Sequence, residues 1–283
     1  MERIITFSAP FSGTLRDVLR RRFSARFCTF LKKEPGRIAV NSLPATGRTK
    51  VRAGDEITAR FSEEKSARVS PCDLPLSVVY EDEDLLVVDK PQGVATVMTF
   101  GFEQKNLLGA LYARADEYNY HVVTRLDKDT TGLVLVAKSG VAHSLLAAAP
   151  PEKIYLAEAE GIVPKPVTVD ITQGRGEDVT RMVKKGGQRA VTKFRPLSYA
   201  GGNTLLAVCP KTGRTHQIRL AAKVLGHPLA GDTLYGSGEG SYNGGQHLCC
   251  YQLRFLHPVT AAVVEIRAKI PSFWGNAAPP EEL

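Results

Sequence analysis

The sequence has no apolar stretch that approaches the ~20 residues needed to cross a membrane as a helix. Its first residues show no basic flank followed by an apolar run and a small-residue cleavage site, so we expect no secretory signal. The five cysteines are odd in number and show no CxxC spacing, which disfavours a disulfide framework and a zinc site. These features predict a cytoplasmic protein in a reducing compartment.

Several motifs of common catalytic chemistries are also missing. The chain has no GxxxxGK[ST] loop, no GxGxxG turn after a strand and no GxSxG elbow. Its six histidines form no HExxH motif, and two of them, His227 and His257, directly precede prolines. A metal-dependent or nucleotide-driven reaction is therefore disfavoured, and we expect neither a cofactor nor a metal.

The positive charge is concentrated at one end of the chain. The net charge is +8, yet residues 1–60 hold 13 basic and 5 acidic residues, whereas the rest of the chain holds 24 of each. This asymmetry favours a small basic module that binds a polyanion, joined to a larger neutral domain. A solvated basic surface without a partner is the alternative interpretation.

The basic region has the pattern of a small α/β unit. Residues 14–34 carry apolar residues at helical spacing, and Ser24 is placed to cap a second helix within them. Short strands are predicted at 38–41 and in 53–61, and residues 63–75, polar with two prolines, predict a linker. The candidate RNA contacts interleaved with the helical pattern are Arg20, Arg21, Arg22, Arg26, Lys32 and Lys33.

The remainder, residues 76–283, predicts one larger domain in which strands outnumber helices. Its fold class is α+β, with a mixed, largely antiparallel sheet flanked by helices. The predicted helices are 104–117, 141–149 and 214–226, the last ended by Gly226. The predicted strands are a hairpin within 76–90, a run buried on both faces at 132–138, single strands at 153–163, 189–199 and 203–210, and a pair within 247–270.

A polar turn directly before the buried run contains the most suggestive carboxylate, Asp127, in RLDKDTTGLVLVAK. An exposed turn aspartate is the simple interpretation. The alternative is an ionised carboxylate at the edge of the core, which needs a cation beside it, and Arg125 and Arg219 are the candidates. An arginine that keeps the carboxylate charged suits a nucleophile or a base.

Several separated stretches occur in the order typical of one known family. They are YEDEDLLVVDKPQGV (80–94), RLDKDTTGLVLVAK (125–138), KIYLAEAEG (153–161), KTGRTHQIRLAAKVLGHPLAGDTLYG (211–236) and HLCCYQLRFLHP (247–258). Together they resemble the RluA-type pseudouridine synthase family over roughly residues 70–270. The basic residues 1–62 resemble the α-L RNA-binding module, through Leu15, Leu19, Ser24, IAVN (38–41) and AGDEI (53–57).

The resemblance implies roles for four residues of the larger domain. Asp127 matches the catalytic aspartate, and Tyr155 matches the tyrosine that stacks on or beside the target uracil. Arg219 matches the arginine that pairs with Asp127, and Arg125 the one that can fill the gap left by an extruded nucleotide. Thr124 departs from the family pattern, in which a histidine is often found, and this leaves the RNA contact at that position open.

The implied reaction is isomerisation of uridine to pseudouridine in structured RNA, which needs no cofactor or energy source. Asp127 could act as a nucleophile at the anomeric carbon or as a base, and the sequence leaves both open. Large-subunit ribosomal RNA is favoured over tRNA as the partner, and the protein is expected to be a monomer. A non-catalytic RNA-binding or ribosome-assembly protein on the same fold, and an aspartate-dependent nucleoside glycosidase with Asp129 as second acid, are the alternatives.

Overall fold

The amino-terminal part of the chain folds as a small antiparallel sheet with a helix packed on it. The computed structural model describes residues 2–23, 28–29, 37–62, 69–98, 105–115, 117–176, 180–238, 245–271 and 274. The first elements are β1 (Glu2–Ser8), β2 (Gly13–Thr14), α1 (Leu15–Arg22), β3 (Ile38–Val40), β4 (Leu43–Pro44), β5 (Lys50–Val51) and β6 (Glu56–Ser62). The sheet order is β1-β6-β3-β4, and β2 pairs with β5.

Helix α1 begins at a polar cap and buries one apolar face. The Thr14 hydroxyl accepts a hydrogen bond from the Asp17 backbone N–H at 3.3 Å, which satisfies a donor of the first turn. Its core-facing side chains, Leu15, Val18 and Leu19, recur at helical spacing and are buried. They share one apolar cluster with the sheet and with Val141 and Leu145 of a later helix, so the small unit also packs against the rest of the protein.

The rest of the protein is built on one mixed, largely antiparallel sheet of eleven strands. Its elements are β7 (Ser77–Glu81), β8 (Leu85–Lys90), α2 (Leu107–Arg114), β9 (His121–Val122), β10 (Thr131–Ala137), α3 (Gly140–Ala148), β11 (Glu152–Glu160), β12 (Val167–Arg175), β13 (Arg181–Val183), β14 (Gln188–Ala200), β15 (Asn203–Pro210), α4 (Gln217–Leu225), β16 (Leu248–Leu256) and β17 (Val263–Arg267). The sheet order is β13-β12-β14-β15-β11-β16-β10-β8-β7, with β17 on β16 and β9 on β10. Only β10 and β16 pair in parallel among the described strands, so the predicted sheet type is confirmed.

Strand β10 lies at the centre of the larger core. Both of its faces are covered, and the fully buried side chains of its middle are Leu133, Val134, Leu135 and Val136. The continuous apolar run therefore predicted this strand correctly. Gly132 has φ +100°, and a Cβ there would lie 2.3 Å from the carbonyl oxygen of Cys250. Only a glycine allows β10 to approach β16 this closely.

The elements differ from the predictions mainly at their ends, in three longer strands that were not predicted, and in the two-residue strands β2, β4, β5 and β9. Helix α2 is shorter than predicted, and α4 ends at Gly226, which has φ +87°, as expected. Strands β1, β12 and β13 are not among the predicted elements; β12 has a clear two-residue alternation, whereas β13 has three residues and little burial. Of the helix that Ser24 would cap, the structure describes only residues 28–29, and both are helical. Residues 63–68 of the linker lie outside the described residues, and 69–75 contain no helix or strand. No helix in the described part of the chain is long and apolar enough to span a membrane.

A buried lysine after β10 is neutralised by a carboxylate at the end of β7. The Lys138 Nζ lies 2.8 Å from Glu81 Oε1, and Arg114 of α2 binds the same carboxylate through two bonds of 3.0 and 2.8 Å. The hydrogen bonds from Arg114, aided by Lys138, lower the pKa of Glu81 to about 2. Because this pKa lies below that of an unfolded glutamate, the pair stabilises the fold above about pH 4.5.

We therefore expect Glu81→Gln to lower the free energy of unfolding at pH 6 on the order of 1–2 kcal/mol, a modest value because Glu81 is partly exposed. The difference from wild type should shrink steadily as the pH falls from 4.5 towards 2, since protonation then removes from the wild type the charge that the variant already lacks. Urea denaturation across this pH range measures it. Glu265→Gln, which breaks the exposed pair with Arg267, is the control and should show a small, pH-independent difference; a constant difference for Glu81→Gln would contradict the assignment.

Candidate active site

A cavity of about 830 Å³ lies where two distant stretches of chain meet. One wall comes from residues 122–128, just before β10, and the other from residues 212–219, at the start of α4. All four candidate residues of the larger domain line this cavity, namely Arg125, Asp127, Tyr155 and Arg219. The volume falls in the range of sites that enclose a small molecule or a single nucleotide.

The turn that carries Asp127 is held by hydrogen bonds to its backbone. The Thr130 N–H donates to the Asp127 carbonyl at 3.1 Å and closes the turn. The Thr96 hydroxyl donates to the Leu126 carbonyl at 2.7 Å and accepts from the Leu126 N–H at 3.1 Å. Because both backbone groups before Asp127 are held by one buried side chain, the carboxylate is fixed without using its own oxygens.

A completely buried lysine fixes the other end of this turn. The Lys90 Nζ donates to the carbonyls of Pro91, Val94 and Lys128 at 2.9, 2.8 and 2.8 Å. Burial lowers the pKa of Lys90 to about 7, against the opposing charges of Asp129, Asp127 and Asp89. Three carbonyl acceptors match the three N–H groups of the ammonium form, so the protonated fraction of Lys90 places a positive charge beneath the Asp127 turn.

Arg219 connects Asp127 with a second, fully buried carboxylate. Its Nε and Nη2 donate to the two oxygens of Asp232 at 2.8 and 2.7 Å, and its Nη1 lies 3.7 Å from Asp127 Oδ2. Burial raises the pKa of Asp232, but the bonds from Arg219 and the N–H groups of Leu234 and Tyr235 outweigh it and lower the pKa below its ordinary value. The tight bidentate partner of Arg219 is therefore Asp232, and the contact with Asp127 is longer.

The start of α4 is fixed by a glutamine and bordered by a histidine. Gln217 accepts from the Thr212 hydroxyl at 2.6 Å and donates to the Val191 carbonyl of β14 at 3.0 Å. His216 lines the cavity with φ +54°, and its Nδ1 lies 3.0 Å from the Tyr235 hydroxyl. Burial lowers the pKa of His216 and outweighs the opposing charge of Asp127, so the ring is neutral near pH 7.

Tyr155 reaches the cavity from the centre of the sheet. It pairs with Cys250 of β16, which in turn pairs with Gly132 of β10, so Tyr155 lies two strands away from the turn that precedes β10. Burial raises the pKa of Tyr155 well above its ordinary value, and the phenol stays neutral. A neutral aromatic ring in the wall of a nucleotide-sized cavity is suited to stacking on a base.

The neighbours of Asp127 differ in exposure. Arg125 is exposed at the cavity mouth. Thr124 is buried, and its hydroxyl accepts a hydrogen bond from the Leu135 N–H at 2.8 Å, so this side chain serves the backbone of β10. Asp129 does not line the cavity and lies 3.8 Å from the Lys128 ammonium.

Only part of the basic surface predicted in the small unit lies within the described residues. Arg20 and Arg21 are exposed on α1. Arg22 is half-buried, lies 4.4 Å from the Phe7 ring and donates to the Val259 carbonyl at 3.3 Å. These contacts give Arg22 a packing role within the protein. Arg26, Lys32 and Lys33 lie outside the described residues.

Four residues of the site were not singled out from the sequence, namely Lys90, His216, Asp232 and Tyr235. In the sequence, Lys90 ends a predicted strand and precedes a proline, and this position gives no sign that its side chain is completely buried. The other three lie within the stretch 211–236, where the resemblance to the family implies a role only for Arg219. Asp232 and Tyr235 lie in an irregular turn after α4, which has no periodicity from which their contacts with α4 could be predicted.

Comparison with known proteins identifies the class to which this chain belongs. The model of a family described as RNA pseudouridylate synthase matches residues 84–223. The RNA pseudouridine synthase YjbO of Bacillus subtilis is 35% identical over 260 residues, which cover 88% of this chain and 92% of that protein. Ribosomal large subunit pseudouridine synthase D of Vibrio cholerae is 36% identical over 260 residues, which cover 83% of this chain and 80% of that protein.

A solved structure agrees with these relatives. Human RNA pseudouridylate synthase domain containing 1 is 28% identical with a TM-score of 0.57, over 69% of this chain and 83% of that one. The protein is thus an RNA pseudouridine synthase. Within that class, the chain belongs to the RluA-type family.

Proposed function

We propose that Asp127 is the catalytic carboxylate and that the protein isomerises specific uridines of large-subunit ribosomal RNA. The catalytic role of Asp127 rests on one observation: a rigidly held, partly exposed carboxylate lies in a cavity beside a buried arginine. The Arg219 guanidinium lies beside this carboxylate, which would act in the reaction either as a nucleophile or as a base.

The reaction also requires that the detached uracil is held until it rejoins the sugar, and the cavity is suited to hold it. The bond between nitrogen and sugar breaks, the uracil turns, and a bond between carbon and sugar replaces it. The neutral ring of Tyr155 offers a face against which uracil can stack as it turns. Extruding a base from a helix costs roughly a few kcal/mol, and Arg125 at the cavity mouth would offset part of that by filling the gap.

The RNA class rests on different observations. Relatives named ribosomal large subunit pseudouridine synthase D support ribosomal RNA over tRNA. We further propose that residues 1–62 act as an RNA-binding module, joined by 63–75 to a catalytic domain at 76–283. Arg20 and Arg21 on α1 would then supply attraction to phosphates that does not depend on sequence. We place the protein in the cytoplasm and expect it to act as a monomer.

Large-subunit rRNA and a pool of tRNAs, both transcribed in vitro so that they contain no pseudouridine, test which class of RNA is the substrate. Purified protein should produce pseudouridine at one or a few uridines of the rRNA and none in the tRNA, as read by chemical mapping. Maps of RNA from cells with and without the gene should differ at the same uridines. Modification of tRNA alone would overturn the choice of substrate, and RNA binding without pseudouridine in either transcript would favour the non-catalytic alternative.

A further inference from the structure

A histidine at the start of α4 has one ring nitrogen that the reaction described above does not use. His216 lines the cavity, and its carbonyl accepts the Leu220 N–H at 2.9 Å, which fixes its backbone to the helix. Its Nδ1 lies 3.0 Å from the hydroxyl of Tyr235, whose ring meets the imidazole edge-on. The Nε2 has no hydrogen-bond partner among the residues that the structure describes. Because Tyr235 does not line the cavity, the edge of the ring that carries Nε2 is left for the cavity.

The position of the hydrogen on this imidazole follows from a chain of two hydrogen bonds. The Arg181 N–H donates to the Tyr235 hydroxyl oxygen at 2.6 Å. Burial raises the pKa of Tyr235, so the hydroxyl keeps its own hydrogen, and within the described chain His216 Nδ1 is the acceptor that lies within reach of it. Burial also lowers the pKa of His216, and a neutral imidazole has one N–H group. Since Nδ1 accepts, that hydrogen is on Nε2, and the ring presents a donor to the cavity.

Resting on the proposed function, we propose that the Nε2–H group of His216 donates a hydrogen bond to a carbonyl oxygen of the target uracil. The donor and the catalytic carboxylate come from the two walls of the cavity, His216 from residues 212–219 and Asp127 from residues 122–128. A nucleotide held between these walls meets the carboxylate on one side and the donor on the other. Uracil is neutral, and a neutral N–H group binds its carbonyl oxygens without a counter-charge. A phosphate, by contrast, favours the imidazolium form, which burial disfavours here.

This hydrogen bond would act on the reaction in two ways. In either mechanism left open for Asp127, the electron pair of the nitrogen–sugar bond leaves with the uracil and spreads onto its two carbonyl oxygens. A donor aimed at one of them stabilises this charge as it develops. A half turn of the base about the line through its C6 and N3 atoms exchanges N1 with C5 and also exchanges the two carbonyl groups. One fixed donor therefore meets a carbonyl oxygen both before and after the turn that the reaction requires.

The test begins with the single-turnover rate at saturating RNA, on a short rRNA fragment that carries the uridine mapped in the experiment above. His216→Asn should lower this rate about 10–100-fold and leave RNA affinity within about 3-fold, since the bond strengthens as charge develops. Asparagine tolerates the left-handed φ of +54° at this position, and its amide is too short to reach the place of Nε2. His227→Asn, just beyond the other end of α4 and outside the cavity lining, is the matched control and should keep the rate within about 2-fold.

Sulfur in place of one uracil oxygen separates contact with the base from a structural role of His216. The same fragment would be synthesised with 2-thiouridine or 4-thiouridine at the target position, because sulfur accepts hydrogen bonds more weakly than oxygen. At least one of the two should slow wild type about 3–10-fold and cost His216→Asn less than about 2-fold, since the contact is then already lost. Equal costs in both proteins would overturn the proposal, and a phosphorothioate beside the target that slows only wild type would then place the contact on a phosphate instead.

Proton–nitrogen NMR spectra of histidine-labelled Asp127→Asn protein read the tautomer without turnover, at about pH 8, above the ordinary pKa of histidine. His216 should carry its hydrogen on Nε2, whereas His227 should carry it on Nδ1, which lies 2.8 Å from the Glu160 carbonyl, a group that can only accept. Adding Tyr235→Phe should give His216 a mixture of both tautomers. Hydrogen on Nδ1 of His216 while Tyr235 is present, or an unchanged rate in His216→Asn, would overturn the proposal although wild type forms pseudouridine. A wild type that forms no pseudouridine in the rRNA would overturn the proposed function on which it rests.

Discussion

Asp127→Asn should abolish pseudouridine formation, with a rate at least about 10³-fold below wild type, while RNA affinity stays within about 3-fold. Asparagine has nearly the same shape and keeps the hydrogen bonds of the turn, since these use the backbone of Leu126 and Asp127 rather than the carboxylate. It cannot act as a nucleophile or a base, so both mechanisms left open for Asp127 predict the same loss. Single-turnover kinetics on the rRNA transcript, with anisotropy for binding, measure the two quantities separately.

The adjacent acid provides a matched control. Asp129 lies two residues further along the same turn and outside the cavity lining, and its nearest cation is Lys128 at 3.8 Å. We expect Asp129→Asn to keep the rate within about 3-fold. Loss of activity in both variants would indicate that the turn as a whole was disturbed, and full activity in Asp127→Asn would eliminate this residue as the catalytic group.

Arg219→Met should cost about 3–5 kcal/mol of stability, because it leaves the fully buried Asp232 without its cation. The double variant Arg219→Met with Asp232→Asn should regain most of that loss. The amide is neutral, and its oxygen can still accept the N–H groups of Leu234 and Tyr235. Isomerisation should nevertheless stay at least about 100-fold below wild type in the double variant, since the guanidinium that lies 3.7 Å from Asp127 is then missing. Denaturant unfolding and single-turnover rates at saturating RNA give the two readings.

The exposed pair of Arg189 and Asp170 is the control for this experiment. It has the same bidentate geometry but lies at the surface, so Arg189→Met should leave the unfolding midpoint and the rate nearly unchanged. A double variant that recovers both stability and activity would mean that Arg219 only neutralises Asp232 and has no part in the reaction.

The elements that the sequence predicted correctly are those in which burial sets the residue pattern. The apolar run of β10 predicted a strand with both faces covered, and the spacing of Ile218, Ala221 and Ala222 together with Gly226 predicted α4 and its end. Strand β12 carries a two-residue alternation from which a strand can be predicted. Strand β13 had none, because its three residues pair with β12 at the sheet edge and bury little surface.

The sequence predicted only those residues of the candidate site that lie in motifs resembling the family. Asp127, Tyr155 and Arg219 come from stretches that resemble the family, and the structure brings all three to one cavity. The bidentate pairing of Arg219 with Asp232 could not be read from the sequence, since it depends on an irregular turn.

The identity of the product tests the central claim most directly. Pseudouridine has the same mass as uridine, because one bond between base and sugar replaces another and no atom is lost. Nucleosides from rRNA transcript treated with purified protein, separated by chromatography and weighed by mass spectrometry, should show pseudouridine appearing as uridine disappears, with no free uracil. Release of uracil and formation of abasic sites, with no pseudouridine, would contradict the account, because the cavity would then cleave the base from the sugar without rejoining it.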